Sequence, residues 1–146
     1  MLVFDLETDG LLNEATQIHC VAIYDTETNE IHVYNDECPG EGMSSPVVRA
    51  IQYLEVADCI VGHNILSFDI PIIRSIFSWF NPPDNCIDTL LLSRLYHPNM
   101  MEVDQKHQWR HMPLQLYGRH SLESYGYRLG EYKGNFGKTT DWKEWS

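Results

Sequence analysis

The order of strand-like and helix-like segments is the feature that most restricts how this chain can fold. Three segments with strand-like apolar patterns come first, at residues 2–7, 17–24 and 31–34, and they predict an antiparallel meander. Helical and strand-like segments then alternate: helices are predicted over residues 46–57, 67–80, 88–95 and 121–129, and short strands over 58–62 and 86–87. Residues 96–118 predict a long loop with one helical turn. We therefore expect an α/β fold with a mixed sheet flanked by helices.

Length and charge restrict the size class and the partners of the chain. It has 146 residues, 43% of them hydrophobic, which suits one domain, residues 1–146, with a sizeable core. The net charge is −11, and Arg49 is the sole Lys or Arg among the first seventy residues. Nucleic-acid enzymes usually have basic surfaces, which this chain lacks. We interpret most of these acidic residues as an acidic surface that keeps the protein soluble. An acidic protein still acts on DNA where metal ions neutralise its site.

Two further features bear on location and redox state. The longest apolar run is well short of the ~20 residues that span a bilayer, and the N-terminus has no basic segment, so we expect a cytoplasmic protein with no membrane association. The four cysteines are Cys20, Cys38, Cys59 and Cys86; they form no C-x-x-C pair, and three of them lie in apolar runs. We interpret them as structural thiols, and a disulfide or a zinc site is the alternative.

The first acidic motif is Asp5-Leu6-Glu7, in the first predicted strand. Side chains alternate along a strand, so the two acids share one face and Leu6 points into the core. Two adjacent carboxylates repel each other unless a cation or a proton lies between them. Their oxygen atoms are ligands for hard cations such as Mg²⁺ or Mn²⁺. An acidic strand edge without a metal is the alternative interpretation.

The second acidic motif follows a buried strand. Gly62, His63 and Asn64 lie at its carboxyl end, and Asp69 follows in the first turn of an apolar helix. Taken alone, Asp69 is better explained as a helix N-terminal acid that the helix dipole stabilises.

Together the two motifs resemble those of the DEDD family of 3′→5′ exonucleases, which have a ribonuclease-H-like fold. Asp5-Leu6-Glu7-Thr8 is similar to the first motif of the family, and Asn64-x-x-x-Phe68-Asp69 is similar to the second. Two longer stretches, residues 85–95 and 120–131, resemble the exonuclease domain of the family-A DNA polymerases of short-tailed phages. The resemblance implies a proofreading domain that acts on the 3′ end of single-stranded DNA, followed by a polymerase domain, in the host cytoplasm.

The resemblance also implies roles for particular residues. Two divalent cations, Mg²⁺ or Mn²⁺, would hydrolyse the terminal phosphodiester, with Asp5 bridging both, Glu7 on the ion that activates water and Asp69 on the other. The terminal nucleotide would be held by four residues: main-chain groups of Leu6 and Thr8, the Asn64 side chain, and Phe68. A leucine, Leu11 or Leu12, would wedge against its base.

One part of the family pattern is missing. The third motif is Tyr-x-x-x-Asp or His-x-x-x-x-Asp, and neither occurs after Asp69; Tyr127 to Glu131 has the first spacing with Glu in place of Asp. We therefore expect that the C-terminal part of the fold is missing and that the fragment is impaired as a nuclease. The alternatives are an inactive ribonuclease-H-like module that binds nucleic acid or a partner protein, and an RNA-trimming exonuclease of the same superfamily.

Three smaller features have competing interpretations. His107 and His111 have a spacing that suits zinc on one helix face, but no Cys or Glu completes a site. A basic run could contact phosphates or form a solvated face: Arg119, Arg128, Lys133 and Lys138. Trp142 and Trp145 could stack on nucleotides, although packing against a further helix is the interpretation that we favour.

Overall fold

The structure is a computed structural model that describes residues 1–35 and 46–132. Within these residues, five strands form one mixed sheet in the order β3-β2-β1-β4-β5. β1 pairs antiparallel with β2, and β2 with β3, whereas β4 is parallel to both β1 and β5. The predicted meander and the mixed α/β sheet are therefore confirmed. The strands are β1 Leu2–Thr8, β2 Ile18–Asp25, β3 Glu30–Asn35, β4 Cys59–Gly62 and β5 Asn85–Asp88.

The helices of the described residues belong to two compact units. Residues 1–88 form the first unit with the sheet, and residues 89–132 lie in the second. The prediction of a single domain stays a prediction. The helices are α1 Pro46–Glu55, α2 Asp69–Ile76, α3 Thr89–Tyr96, α4 Met100–His107 and α5 Leu122–Leu129, with a single 3₁₀ turn at Leu114–Leu116.

The core of the first unit lies against one face of the sheet. β1 contributes alternate residues to it, so that Leu2, Phe4 and Leu6 are buried. α1 and α2 supply the other layer through apolar residues at helical spacing: Val47, Ala50, Ile51, Leu54, Ile70, Ile72 and Ile73. The opposite face of β1 presents Val3, Asp5 and Glu7. The fold therefore leaves the first acidic motif away from the core.

Two predicted elements differ from the structure. α2 spans Asp69–Ile76, so the prediction over residues 67–80 was too long at both ends. Its first turn accepts Pro71 because the first N–H groups of a helix need no intrahelical partner. α4 lies inside the predicted loop of residues 96–118. The sequence concealed α4 because its fully buried position is occupied by Asp104, and apolar periodicity does not detect a buried acid.

Asp104 organises the second unit. Its carboxylate accepts hydrogen bonds from Arg128 Nε at 2.9 Å and Arg128 Nη2 at 2.6 Å. Trp109 Nε1 and the Gly118 N–H also donate to it, each at 2.8 Å. The Arg128 side chain is 5% exposed, so it is neither a phosphate contact nor part of a solvated face. Both interpretations of the basic run were wrong for Arg128, and Lys133 and Lys138 lie outside the described residues.

The histidine pair is not on one helix. α4 ends at His107, whose ring stacks on Trp109 with centroids 4.5 Å apart, and Gln108 adopts a left-handed conformation as the C-cap. His111 follows beyond this break and accepts a hydrogen bond from Arg110 Nε at 3.1 Å. The spacing that suits zinc on a helix is therefore absent.

Two general features complete the fold. Among the described residues, Cys20, Cys59 and Cys86 form no disulfide, and Cys38 lies outside them, as do Trp142 and Trp145. Within residues 1–35 and 46–132, no helix is both long enough and apolar enough to cross a membrane.

Candidate active site

β1 places two carboxylates on one face of the sheet. Asp5 is exposed and Glu7 is half-buried, while Leu6 between them is buried in the core. Two residues along a strand separate the acids by ~7 Å. Across the sheet, Asp5 lies opposite Ala22 and Glu7 opposite Cys20, so β2 brings no cationic side chain beside them.

A tight loop after β4 brings the second acidic motif to β1. Because β4 runs parallel to β1, this loop begins beside the middle of β1. Gly62 at its start has no room for a side chain: a Cβ there would lie 2.2 Å from Ile65 Cγ2 and 3.0 Å from the Phe4 carbonyl oxygen. Glycine at this position therefore allows the loop to pack directly on β1.

The loop then turns through Asn64 into α2. Asn64 has a φ of 63°, a left-handed conformation that asparagine adopts more readily than most residues. The Phe68 N–H donates to the Asn64 carbonyl at 3.1 Å, and the Ile70 N–H donates to the Ile65 carbonyl at 2.9 Å. These bonds place Asp69 at the first position of α2.

Asp69 is a buried acid that faces other acids. Its side chain is 4% exposed, and the Leu6 N–H donates to its carboxylate. Burial, and after it the charges of Asp5 and Asp88, raise the pKa of Asp69 to about 7 against the lowering effect of that hydrogen bond. Asp5 and Asp69, one from each predicted motif, therefore interact electrostatically.

The chemistry of these groups suits a hard divalent cation. The donors are carboxylate oxygens, and residues 1–88 include 15 acidic residues but only two basic ones, Arg49 and Arg74. A cation between Asp5 and Asp69 would relieve the repulsion that keeps a proton on Asp69. Within residues 1–35 and 46–132, however, no group of three or more His, Cys, Asp or Glu side chains is arranged to hold a metal ion. The described residues thus supply a partial donor set.

Comparison with known proteins identifies the family of the chain. Residues 2–123 match the RNase_H superfamily. The chain belongs to the RNase_H superfamily. The ribonuclease-H-like fold predicted from the two acidic motifs is therefore confirmed.

Two curated relatives are phage DNA polymerases. The DNA-directed DNA polymerase of Enterobacteria phage T3 is 37% identical over 144 residues, and that of Escherichia phage T7 is 35% identical over 146 residues. Each similarity covers 93% of this chain but 20% of the relative, so the chain spans about a fifth of their length. The resemblance to phage DNA polymerases seen in the sequence is confirmed.

Solved structures of exonuclease I are more distant. One is 21% identical with a TM-score of 0.48, and the similarity covers 68% of this chain and 30% of that one. E. coli exonuclease I in complex with a dT13 oligonucleotide is 22% identical with a TM-score of 0.47, covering 66% and 29%.

Several residues that were predicted to bind the nucleotide have other contacts in this RNase_H member. The Leu6 N–H is used by Asp69. Thr8 is buried, and its hydroxyl donates to the Gly10 carbonyl at 2.8 Å. Phe68 packs partly against the core, and Asn64 is half-buried.

An ordered loop follows the acids of β1. The Asp9 carboxylate accepts hydrogen bonds from the Thr16 N–H at 2.8 Å, the Gln17 N–H at 3.0 Å and the Thr16 hydroxyl. Burial alone would raise the pKa of Asp9, but these bonds hold it below its ordinary value. At the far side of the loop, Leu11 is 72% exposed and Leu12 is 39% exposed.

One buried acid of the site was not foreseen. Asp88 is 5% exposed and accepts hydrogen bonds from the main-chain N–H groups of Asn64 and Leu66. From the sequence it was predicted only as the first residue of the helix over residues 88–95. Its partners are more than twenty residues away and are backbone groups, so no side-chain pattern reveals them.

Proposed function

We propose that this chain is the 3′→5′ exonuclease domain of a phage-type DNA polymerase and hydrolyses the terminal phosphodiester of DNA. The single observation that supports this most strongly is the position of Asp69. It is a buried acid at the start of α2, and burial together with the charge of Asp5 raises its pKa to about 7. Perturbed carboxylates of this kind are concentrated at functional sites. The relatives, which are DNA-directed DNA polymerases, supply the substrate class.

Asp5, Glu7 and Asp69 would hold two divalent cations, Mg²⁺ or Mn²⁺. When bound, such ions supply an activated water and stabilise the leaving 3′ oxygen. Asp5 would contribute an exposed carboxylate, and Glu7 would contribute the next acid on the same strand face. Asp69 contributes from α2 and gives up its proton when the site is loaded.

The remaining residues orient the substrate. Asn64 has a left-handed backbone conformation, and its side-chain amide would hold the terminal nucleotide together with Phe68 and the main chain of Leu6 and Thr8. Leu11 is exposed on the loop that Asp9 closes, where an apolar side chain meets the base.

Single-stranded DNA with a 3′ end is the partner that this site would take. The relatives are about five times longer than this chain, because it covers 20% of each. A polymerase region in the same protein is therefore the second partner that we propose.

A second candidate function rests on the incomplete donor set. The described residues bring no three metal-binding side chains together, and the 146 residues contain neither form of the third motif. A ribonuclease-H-like module that binds a nucleic-acid 3′ end without cleaving it has these properties.

Mn²⁺ titration by calorimetry tests the proposal. The chain is compared with Asp5→Ala, and with Asp58→Ala as the control, because Asp58 is an exposed acid just before β4. We expect Mn²⁺ binding that Asp5→Ala abolishes and Asp58→Ala leaves unchanged. Absence of Asp5-dependent binding at millimolar Mn²⁺ would contradict the proposed metal site.

Digestion of a 5′-labelled single-stranded oligonucleotide separates the two candidate functions. We expect slow, Mn²⁺-dependent shortening from the 3′ end, at least about 10³-fold below a complete site, because positioning of the water contributes that much. Binding of the oligonucleotide with no shortening at all supports the non-cleaving module.

A further inference from the structure

Asp88 is a buried acid of the first unit that accepts hydrogen bonds from the main chain of the loop between β4 and α2. It ends β5, next to Gly62 in the sheet register, and only 5% of its surface is exposed. Its two oxygens have separate partners: Oδ1 accepts from the Asn64 N–H at 2.9 Å, and Oδ2 accepts from the Leu66 N–H at 3.1 Å. A carboxylate that divides its oxygens in this way fixes two points of a backbone at once.

The segment that Asp88 fixes is the loop between β4 and α2. Gly62 packs against β1, and Asn64 has a φ of 63°, so the loop follows a path that few sequences adopt. The hydrogen bonds to Asp88 lie on either side of Ile65, whose side chain is fully buried. The segment ends at Asp69. A shift of the backbone at Asn64 or Leu66 therefore displaces both the Asn64 amide and the Asp69 carboxylate.

Stability alone is a poor explanation for an acid at this position. Asp69 lies close enough for the Asp88 charge to oppose its ionisation. Placing a buried carboxylate beside another carboxylate costs stability, because burial and the repulsion between like charges both disfavour ionisation. The arrangement holds a loop in place at an electrostatic cost, and the two residues it controls are those that the proposed function uses.

We propose that Asp88 is a positioning residue of the exonuclease site, which holds the Gly62–Asp69 loop so that Asn64 and Asp69 face Asp5. The inference rests on the proposed function. Asp88 acts through the main chain of the loop and contacts neither the cation nor the substrate.

Two substitutions separate its geometry from its charge. Asp88→Asn replaces one acceptor oxygen by an NH₂ group, which then faces a main-chain N–H, and it also removes the charge. Asp88→Glu keeps the charge and both oxygens but is longer by a methylene group. Its oxygens therefore cannot accept from the Asn64 and Leu66 N–H groups with the loop in its present position. Asp25→Asn is the matched control, because Asp25 also accepts a main-chain N–H, from Glu27 at 2.9 Å, and lies opposite Leu2 at the other end of β1.

The test measures Mn²⁺ affinity by calorimetry in the 146-residue chain and the three variants, at a temperature where melting curves show each to be folded. We expect both Asp88 variants to bind Mn²⁺ about 10- to 100-fold more weakly, as residues that orient metal ligands do, with Asp25→Asn unchanged. If Asp88→Asn does not fold, the comparison of Asp88→Glu with Asp25→Asn tests the inference. Amide hydrogen exchange at Asn64 and Leu66 should rise in both Asp88 variants.

The outcomes distinguish the inference from the proposed function. Asp5-dependent binding with the same affinity in the unsubstituted chain and in both Asp88 variants overturns the inference alone. Weak binding by Asp88→Asn with full binding by Asp88→Glu also overturns it, since charge rather than position would then explain the loss. Absence of Asp5-dependent binding in the unsubstituted chain contradicts the proposed function, and the inference falls with it.

Discussion

Asp69 in the first unit and Asp104 in the second are both buried aspartates, with 4% and 0% of their surfaces exposed. Asp104 accepts four hydrogen bonds, two of them from the Arg128 guanidinium. Asp69 receives the Leu6 N–H and faces the acids Asp5 and Asp88. Among the ion pairs of the described residues, none includes Asp69.

The environments move the two pKa values in opposite directions. Burial would raise the pKa of Asp104, but the bonds from Arg128, Gly118 and Trp109 lower it below its ordinary value. Burial, together with the charges of Asp5 and Asp88, raises the pKa of Asp69 to about 7. An acid whose partners are supplied within the fold has a structural role. A buried acid that is repelled by other acids needs a proton or a cation from solution. Acids with such perturbed pKa values are concentrated at functional sites.

The largest effect on stability is expected for Asp104→Asn. The substitution leaves the Arg128 charge buried without its counter-ion, which costs about 3–5 kcal/mol of unfolding free energy. Urea unfolding measures the loss. Glu102→Gln on the same helix is the control, because Glu102 is exposed and should change stability by less than ~0.5 kcal/mol. Equal effects of the two substitutions would contradict a structural role for Asp104.

The opposite sign is expected for Asp69→Asn. In the absence of a cation, the unfolded carboxyl ionises near pH 4 while the folded one keeps its proton up to a pKa of about 7, so stability falls as pH rises between these values. The full loss is roughly 4 kcal/mol above pH 7. Asp69→Asn removes it and should stabilise the chain at pH 8 but not at pH 4. Urea unfolding at pH 4 and pH 8 measures the difference in unfolding free energy between the variant and the unsubstituted chain. The same difference at both pH values would contradict the raised pKa.

Mn²⁺ should stabilise the chain through Asp69 and not through Asp104. At one hundred times its dissociation constant, a ligand that binds only the folded state adds about 2.7 kcal/mol. We expect this gain in the unsubstituted chain and in Asp104→Asn, and its loss in Asp69→Asn. Thermal unfolding with and without Mn²⁺ measures it, and an equal gain in Asp69→Asn would mean that the cation binds elsewhere.

The smallest effect is expected at Asp9, which resembles Asp104 in its hydrogen bonding but has no buried cation. Thr16→Val removes one donor to the Asp9 carboxylate and should cost about 1 kcal/mol. The loss is expected at pH 7 and should shrink as pH falls below the lowered pKa of Asp9, since the protonated carboxyl is a poorer acceptor. A loss of stability as large as that of Asp104→Asn would contradict the distinction between surface and buried acids.

The contrast between the acids also explains what could be predicted from the sequence. Strand alternation in β1 and helical spacing in α1 locate the core, so the sheet, its meander and the face bearing Asp5 and Glu7 were predictable. Asp69 was located by its motif. These features repeat along the sequence or lie within a few residues of each other.

The rest depends on contacts between distant residues. Arg128 was interpreted as a surface base because no sequence pattern pairs it with Asp104, 24 residues away. α4 was missed for the same reason, because its fully buried position is occupied by Asp104 rather than by an apolar residue. Asp88 binds backbone N–H groups, which every sequence has, so its role emerged only once the β4–α2 loop was placed beside β5.

The most direct test of the account is the pKa of Asp69, measured by carboxyl-carbon NMR titration of the 146-residue chain with and without Mg²⁺. We expect a pKa of about 7 in the absence of the ion and a value several pH units lower in its presence, because the cation takes the place of the proton. An ordinary aspartate pKa under both conditions would contradict the account, since Asp69 would then neither face other acids in a buried site nor bind a cation there.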